Sequence, residues 1–181
     1  MALKRGGIVL EGDVRAPASP RARAGGRQLA MFVLLVAVAH ALTYFVAGAL
    51  AFTTLTHGLY EGANPLFGSY LRTPGETELW QHVTLWFLPA QLLRGVLIGF
   101  ALSPFLPTLR SWSVWKRTVA LTGLYLVIGF WAAALAAPGN IEGLVYLRPE
   151  FTFDIVLLVQ PAIIVQGVGM SLLVALGLER F

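Results

Sequence analysis

The sequence predicts an all-α, polytopic membrane protein, a four-transmembrane-helix bundle built from two tandem helical hairpins of the same orientation. Of its 181 residues, 57% are hydrophobic and 12% are charged, and this charged fraction is about half that of a typical soluble domain. Four apolar stretches are long enough to cross a bilayer as helices, which takes about 20 residues. The two halves of the chain also repeat the same short sequences in the same order.

The predicted spans cover residues 28–55, 82–106, 118–137 and 155–178. Helices are expected because a backbone in lipid must satisfy its own hydrogen bonds, and no alternating apolar and polar strand pattern occurs. The chain then divides into a basic arm at 1–28, a first transmembrane hairpin at 29–106, a cytoplasmic linker at 107–117 and a second hairpin at 118–181.

The distribution of basic residues predicts the orientation of the spans. Six of the 13 Lys and Arg residues precede the first span, in an arm rich in Gly, Ala and Pro that is expected to be flexible. Arg110, Lys116, Arg117 and Arg180 follow at the same predicted side. The positive-inside rule therefore predicts cytoplasmic N- and C-termini in a plasma (inner) membrane. The arm has a second interpretation, contact with anionic lipid.

The first apolar run also resembles a secretory signal with a cleavage site at Ala39-His40-Ala41. A signal of this kind has a short leader and ends at the site. Here the polar leader is long and the apolar run continues beyond the site, so we expect a complete, uncleaved span.

Two segments, 44–62 and 125–143, are identical at seven of nineteen positions without a gap. Both end in a Gly-x-x-Glu-Gly sequence, and both are followed by Tyr-Leu-Arg and then by a Pro-Ala pair with Gly-Val six residues after its proline. This order predicts a tandem duplication of a two-helix hairpin. Because each copy starts in the cytoplasm, the copies are expected to be related by a pseudo-twofold axis along the membrane normal.

Several residues of the repeat have a structural interpretation. The small residues Gly48 and Ala51 lie on one helical face with Tyr44, and such a face allows helices to approach closely in a membrane. Pro89 and Pro161 fall inside the second and fourth predicted helices, where each removes a backbone hydrogen bond and is expected to kink the helix.

Arg94 is the central candidate for function. It lies inside the second span, where a charge costs about 2.5–3.5 kcal/mol on insertion scales, and Gln166 occupies the equivalent position in the second copy. The predicted ligand-binding residues are those expected near this position: Arg94, Gln91, Gln166, Tyr44, Tyr125 and His40. Each also has a purely structural interpretation, in which Arg94 binds backbone carbonyls and His40 is a packed, hydrogen-bonded core residue.

A second set of charges is predicted to line an outward-facing mouth, namely Glu61, Arg72, Glu142 and Arg148. The alternative is that each Glu–Arg pair braces its own hairpin. Both interpretations place the members of a pair close together.

The composition excludes several classes of function. The chain has no cysteine, and its three histidines do not have metal-ligand spacing. There is no nucleophile elbow, no phosphate loop and no basic surface with interleaved aromatic residues, so we expect no metal, no cofactor and no nucleic acid.

The sequence therefore favours a non-enzymatic integral membrane protein, an accessory or assembly subunit of a larger membrane complex or a homo-oligomer. The alternative is a binder or carrier of a small anionic or lipidic ligand at Arg94. A weaker alternative is a membrane-embedded enzyme or redox subunit that uses His40.

Overall fold

The computed structural model describes residues 25–62, 65–69, 71–148, 151 and 153–180, and within these ranges the chain is helical without strands. Three continuous helices are long and apolar enough to cross a membrane: Gly26–Tyr60, Thr77–Ser111 and Asp154–Arg180. This confirms an all-helical chain with membrane-spanning character. The arm at 1–24, together with Tyr70 and Pro149-Glu150 of the repeated loops, lies outside the described residues.

The α-helices are, in chain order, α1 (Gly26–Ala51), α2 (His57–Tyr60), α3 (Thr77–Leu102), α4 (Leu106–Ser111), α5 (Val114–Gly123), α6 (Ile141–Tyr146) and α7 (Phe153–Gly177). A π-helical segment, Phe52–Thr56, joins α1 to α2, and a second one, Leu124–Trp131, extends α5. Short 3₁₀ turns lie at Leu66–Ser69, Ser103–Phe105 and Leu178–Arg180.

Helix α1 packs against both α3 and α7, and α5 packs against α7. The α1–α3 contact is a close backbone approach, because a Cβ atom on Gly95 would lie 2.5 Å from the Ala37 Cα and one on Gly99 would lie 2.9 Å from the Val33 Cα. The pairing runs in opposite directions along the two helices, so α1 and α3 are antiparallel.

Helices α1 and α7 are antiparallel as well. Gly169 of α7 lies against Thr43 of α1, and Gly177 lies against Leu35. A step of eight residues forward along α7 thus corresponds to a step of eight residues backward along α1. The start of α1 and the end of α7 therefore lie at one end of the molecule. A core of buried apolar side chains fills this end: Phe32, Val36, Ala39, Leu106, Leu109, Leu121, Met170, Val174 and Leu178.

The third predicted span, 118–137, differs from the observed helix. Helical structure runs from Val114 to Trp131 and then gives way to an irregular segment up to Asn140. Pro138 lies in this irregular segment, where proline lacks a backbone donor and disfavours helical geometry in the residue before it, so the helix cannot resume there. Eighteen residues at about 1.5 Å each reach about 27 Å, and this segment is not among the three candidate spans.

The irregular segment after Trp131 forms hydrogen bonds within itself and with α7. The side-chain oxygen of Asn140 accepts hydrogen bonds from the backbone amides of Ala137 (3.1 Å) and Gly143 (2.7 Å). Gln160 of α7 accepts one from the indole of Trp131 (3.0 Å) and donates one to the Gly139 carbonyl (3.3 Å). Non-helical backbone is thereby satisfied by the protein itself, as a membrane environment requires.

We expect Gly139→Ala to destabilise this segment by about 1–3 kcal/mol, the usual cost of a left-handed backbone for a residue other than glycine. Gly139 has φ +92°, and an added Cβ would also overlap the Gln160 side-chain nitrogen. The measurement is thermal unfolding in mild detergent. Gly129→Ala is the control, because its Cβ would meet only one atom, at 4.0 Å; equal melting temperatures for both variants would contradict the prediction.

Two expectations about helix packing have different outcomes. Pro89 and Pro161 lie inside α3 and α7, and the kink at each stays a prediction. The close approach expected at the Gly48 face does not occur there, because no described atom lies within 4 Å of an added Gly48 Cβ. The close approach is made by Gly95 and Gly99 instead, since helix rotation in the folded chain turns that face of α3 towards α1.

Candidate functional site

His40 is the centre of the polar group that the sequence predicted. It is completely buried in α1, and its Nε2 donates a hydrogen bond to the side-chain oxygen of Gln91 in α3 (3.2 Å). The imidazole lies between two tyrosine rings, with centroids 6.1 Å from Tyr44 and 6.2 Å from Tyr125. A histidine, a glutamine and two tyrosines from three segments therefore share one site.

Arg94 lies at the edge of this group. It is three residues after Gln91 and directly before Gly95, so α3 presents it beside the face that touches α1. Its guanidinium is close enough to His40 and Tyr125 to interact electrostatically with both. Its side chain is nevertheless exposed, and it makes no hydrogen bond or ion pair that involves another described residue.

Gln166 completes the set from α7. It is buried and lies beside the Tyr125 hydroxyl, but its Nε2 finds no hydrogen-bond acceptor among the described residues. The Nδ1 of His40 likewise has no hydrogen-bond partner among the described residues. With Nε2 donating to Gln91, His40 Nδ1 is an acceptor, so the site offers an unused acceptor and an unused donor next to a cation.

The six residues are brought together by specific features of the four segments. His40 and Tyr44 are one turn apart on α1, and the glycine contact at Gly95 brings Gln91 within reach of His40. Tyr125 belongs to the π-helical segment, a geometry that often occurs at functional sites. On α7, Gly167 leaves room for the Tyr125 ring, because an added Cβ would lie 2.8 Å from it.

The predicted outer charges are arranged differently in the two copies. Glu61 forms an ion pair with His57 (3.2 Å) rather than with Arg72, which is exposed. Glu142 lies in the first turn of α6, whereas Glu61 directly follows α2. Arg148 is exposed. The equivalent loops thus have different local conformations, and a shared mouth stays a prediction.

Arg117, which the sequence places only among the basic residues of the predicted cytoplasmic side, has a further role in the structure. Its side chain is 5% exposed and donates hydrogen bonds to the carbonyls of Leu109 (2.6 Å), Ala175 (3.0 Å) and Arg110 (3.1 Å). It also pairs with Glu179. One guanidinium thus joins the ends of α4 and α7 to the start of α5. These partners lie up to 62 residues away in the sequence, so no short sequence motif predicts them.

No group of three or more His, Cys, Asp or Glu side chains that could hold a metal occurs within the described ranges. The side chains of the Arg94 site supply hydrogen-bonding groups and a positive charge, which suit recognition of an anionic or polar group. Comparison with protein-family models, with curated proteins and with solved structures found no match to this chain.

Proposed function

We propose that this protein is a non-enzymatic subunit of a larger membrane complex, and that a partner chain binds at the side of α3 that carries Arg94. The single observation that carries the proposal is the unpaired, exposed guanidinium of Arg94 within an apolar helix. A charge facing hydrocarbon costs several kcal/mol, and a partner that supplies an anionic group removes this cost.

The low burial of α3 supports the binding of a partner at the same face. Within its apolar stretch, 11% of the residues are buried, against 39% for the Gly26–Tyr60 helix and 28% for the Asp154–Arg180 helix. Large apolar side chains on both sides of Arg94 are exposed, including Leu93, Leu97 and Phe100. Helix α3 contacts α1 extensively but makes no comparable contact with α5 or α7 within the described residues, so one flank is open for another helix.

The acidic residues favour a different protein as the partner over a second copy of this chain. The apolar parts of all four predicted spans contain no Asp or Glu. A second copy placed at Arg94 therefore brings no carboxylate at that depth. A heterologous helix with an intramembrane carboxylate satisfies the guanidinium directly, since intramembrane charges almost always pair.

The proposed setting is the plasma membrane, with both termini in the cytoplasm. The antiparallel packing of α1, α3 and α7 supports it, because the end that holds Arg110, Lys116, Arg117 and Arg180 is also the end where α1 begins. Basic residues concentrate on the cytoplasmic side of membrane proteins.

The test is native mass spectrometry of the chain extracted gently from its own membrane, compared with Arg94→Gln. We expect the wild type to carry an added protein mass and Arg94→Gln to lose it by about tenfold or more, because truncating one partner of a buried charge pair costs about 2–5 kcal/mol. Arg72→Gln is the control, since it removes an exposed arginine outside the spans. A wild type without added protein, or equal retention in both variants, would contradict the proposal.

A second candidate function, binding of a small anionic or lipidic ligand, is favoured by one specific observation. His40 and five further polar residues form one group, and the buried His40 Nδ1 and Gln166 Nε2 have no hydrogen-bond partner among the described residues. A bound small molecule with acceptor and donor groups would satisfy them. In the same experiment, this function predicts a small added mass, without protein, that disappears in Arg94→Gln.

A further inference from the structure

A groove on the outer surface of α5 has the chemistry of a lipid site. It has a volume of about 310 Å³ and is lined by Trp112, Trp115, Lys116, Val119 and Ala120; we call it the α5 groove. Trp115 is 75% exposed and Trp112 is 37% exposed. The lining residues recur every three or four positions, so the groove follows one face of the helix.

The polar end of the α5 groove has positive charge that the protein does not neutralise. Lys116 is exposed and forms no ion pair within the described ranges. Arg110, two residues before Trp112, has two buried side-chain nitrogens, Nε and Nη2, without a hydrogen-bond partner among the described residues. The neighbouring Arg117 differs, because Glu179 and three carbonyls already satisfy it.

The side chains that line the α5 groove change along the helix from aromatic and basic to small and apolar. Its tryptophans and lysine lie at the start of α5, and Val119 and Ala120 lie about 6 Å further along, at about 1.5 Å per residue. Tryptophan is enriched at the level of the headgroups in a membrane, and lysine extends its ammonium to the same level. One end of the groove thus suits the phosphate of a headgroup and the other suits an acyl chain. This arrangement matches a single phospholipid molecule.

We propose that the α5 groove binds an anionic phospholipid of the cytoplasmic leaflet. Lys116 contacts the phosphate, Arg110 adds positive charge at the same end, and an acyl chain lies over Val119 and Ala120. Anionic rather than zwitterionic lipid is expected because Lys116, the cation that lines the groove, forms no ion pair within the described ranges. This site is separate from Arg94, which lies in α3, and it does not depend on the proposed protein partner.

The experiment uses the purified full-length chain in detergent, with equal amounts of synthetic phosphatidylglycerol and phosphatidylcholine of the same acyl composition. Lipid retained by the protein is counted by native mass spectrometry. We expect preferential retention of phosphatidylglycerol, reduced about fivefold in Lys116→Gln, the change expected for loss of one near-surface cation.

Arg180→Gln is the matched control, because it removes an exposed cation at the same end of the molecule but outside the groove. It is expected to keep the preference of the wild type. Equal retention of the two lipids by the wild type, an unchanged preference in Lys116→Gln, or equal losses in Lys116→Gln and Arg180→Gln would each overturn the proposal.

Discussion

Arg117→Met is expected to lower the free energy of unfolding by about 3–5 kcal/mol, because three backbone carbonyls lose hydrogen bonds from a charged donor, and each such bond contributes about 1.5–3 kcal/mol. The guanidinium of Arg117 is buried against the C-terminal ends of α4 and α7, where backbone carbonyls have no partner within their own helix. Methionine fills a similar volume but donates no hydrogen bond. The carbonyls of Leu109, Arg110 and Ala175 would then lose their guanidinium donor, and only that of Leu109 is known to keep a second donor, the backbone amide of Trp112.

Two controls separate this effect from a loss of charge. Arg72→Met makes the same change at an exposed arginine, and we expect less than about 0.5 kcal/mol, as for surface substitutions away from special features. Glu179→Gln removes only the ion pair, whose carboxylate is 53% exposed, and such pairs contribute about 0–1 kcal/mol. The measurement is chemical unfolding in mixed detergent micelles. A loss in Glu179→Gln as large as that in Arg117→Met would show that the ion pair, and not the carbonyl contacts, stabilises this end.

Gly95→Ala is expected to destabilise the chain by about 1–3 kcal/mol, the usual cost of overpacking. The new methyl group would lie 2.5 Å from the Ala37 Cα and 3.0 Å from its carbonyl oxygen. Both are backbone atoms, so relief requires α3 to move away from α1 as a unit. This movement would also lengthen the hydrogen bond between His40 and Gln91, which starts at 3.2 Å.

Gly48→Ala is the matched control for Gly95→Ala, because it makes the same change in the neighbouring helix where no described atom lies within 4 Å. We expect it to be neutral or to stabilise by up to about 1 kcal/mol, since alanine is the better helix former. Unfolding in detergent gives the stability of both variants, and the imidazole NMR signal of His40 reports the hydrogen bond to Gln91. Equal stability of the two variants would exclude the close α1–α3 approach.

The polar residues around Arg94 could be singled out from the sequence, whereas their geometry could not, and their role in binding stays a prediction. Polar residues in an apolar stretch are candidates for function because their insertion into lipid costs free energy. The predicted repeat aligns two of them, Arg94 and Gln166. Their surroundings depended on the rotation of each helix about its axis. The result is that Gln166 is buried beside Tyr125 while Arg94, its counterpart in the repeat, is exposed.

The helix boundaries were predictable to different degrees. The helix around Pro89 extends beyond its predicted span because flanking residues such as Thr77 and Glu78 continue it. The segment at 118–137 was mispredicted at its end because an alanine-rich run precedes Pro138, and hydropathy does not distinguish an apolar helix from an apolar irregular segment. The side chains of Asn140 and Gln160 satisfy that irregular backbone through contacts that only the folded chain provides.

The sequence by itself determined that this is a helical membrane protein and where its polar and basic residues lie along the chain. The physical reason is that a lipid environment requires long apolar segments whose backbone hydrogen bonds are satisfied internally. Such segments can be recognised from the sequence alone. The tertiary structure alone decided that Gly95 meets Ala37, that Arg117 joins three helices and that Arg94 has no partner among the described residues. These outcomes depend on the sum of many weak packing contacts between helices distant in sequence, which no single segment specifies.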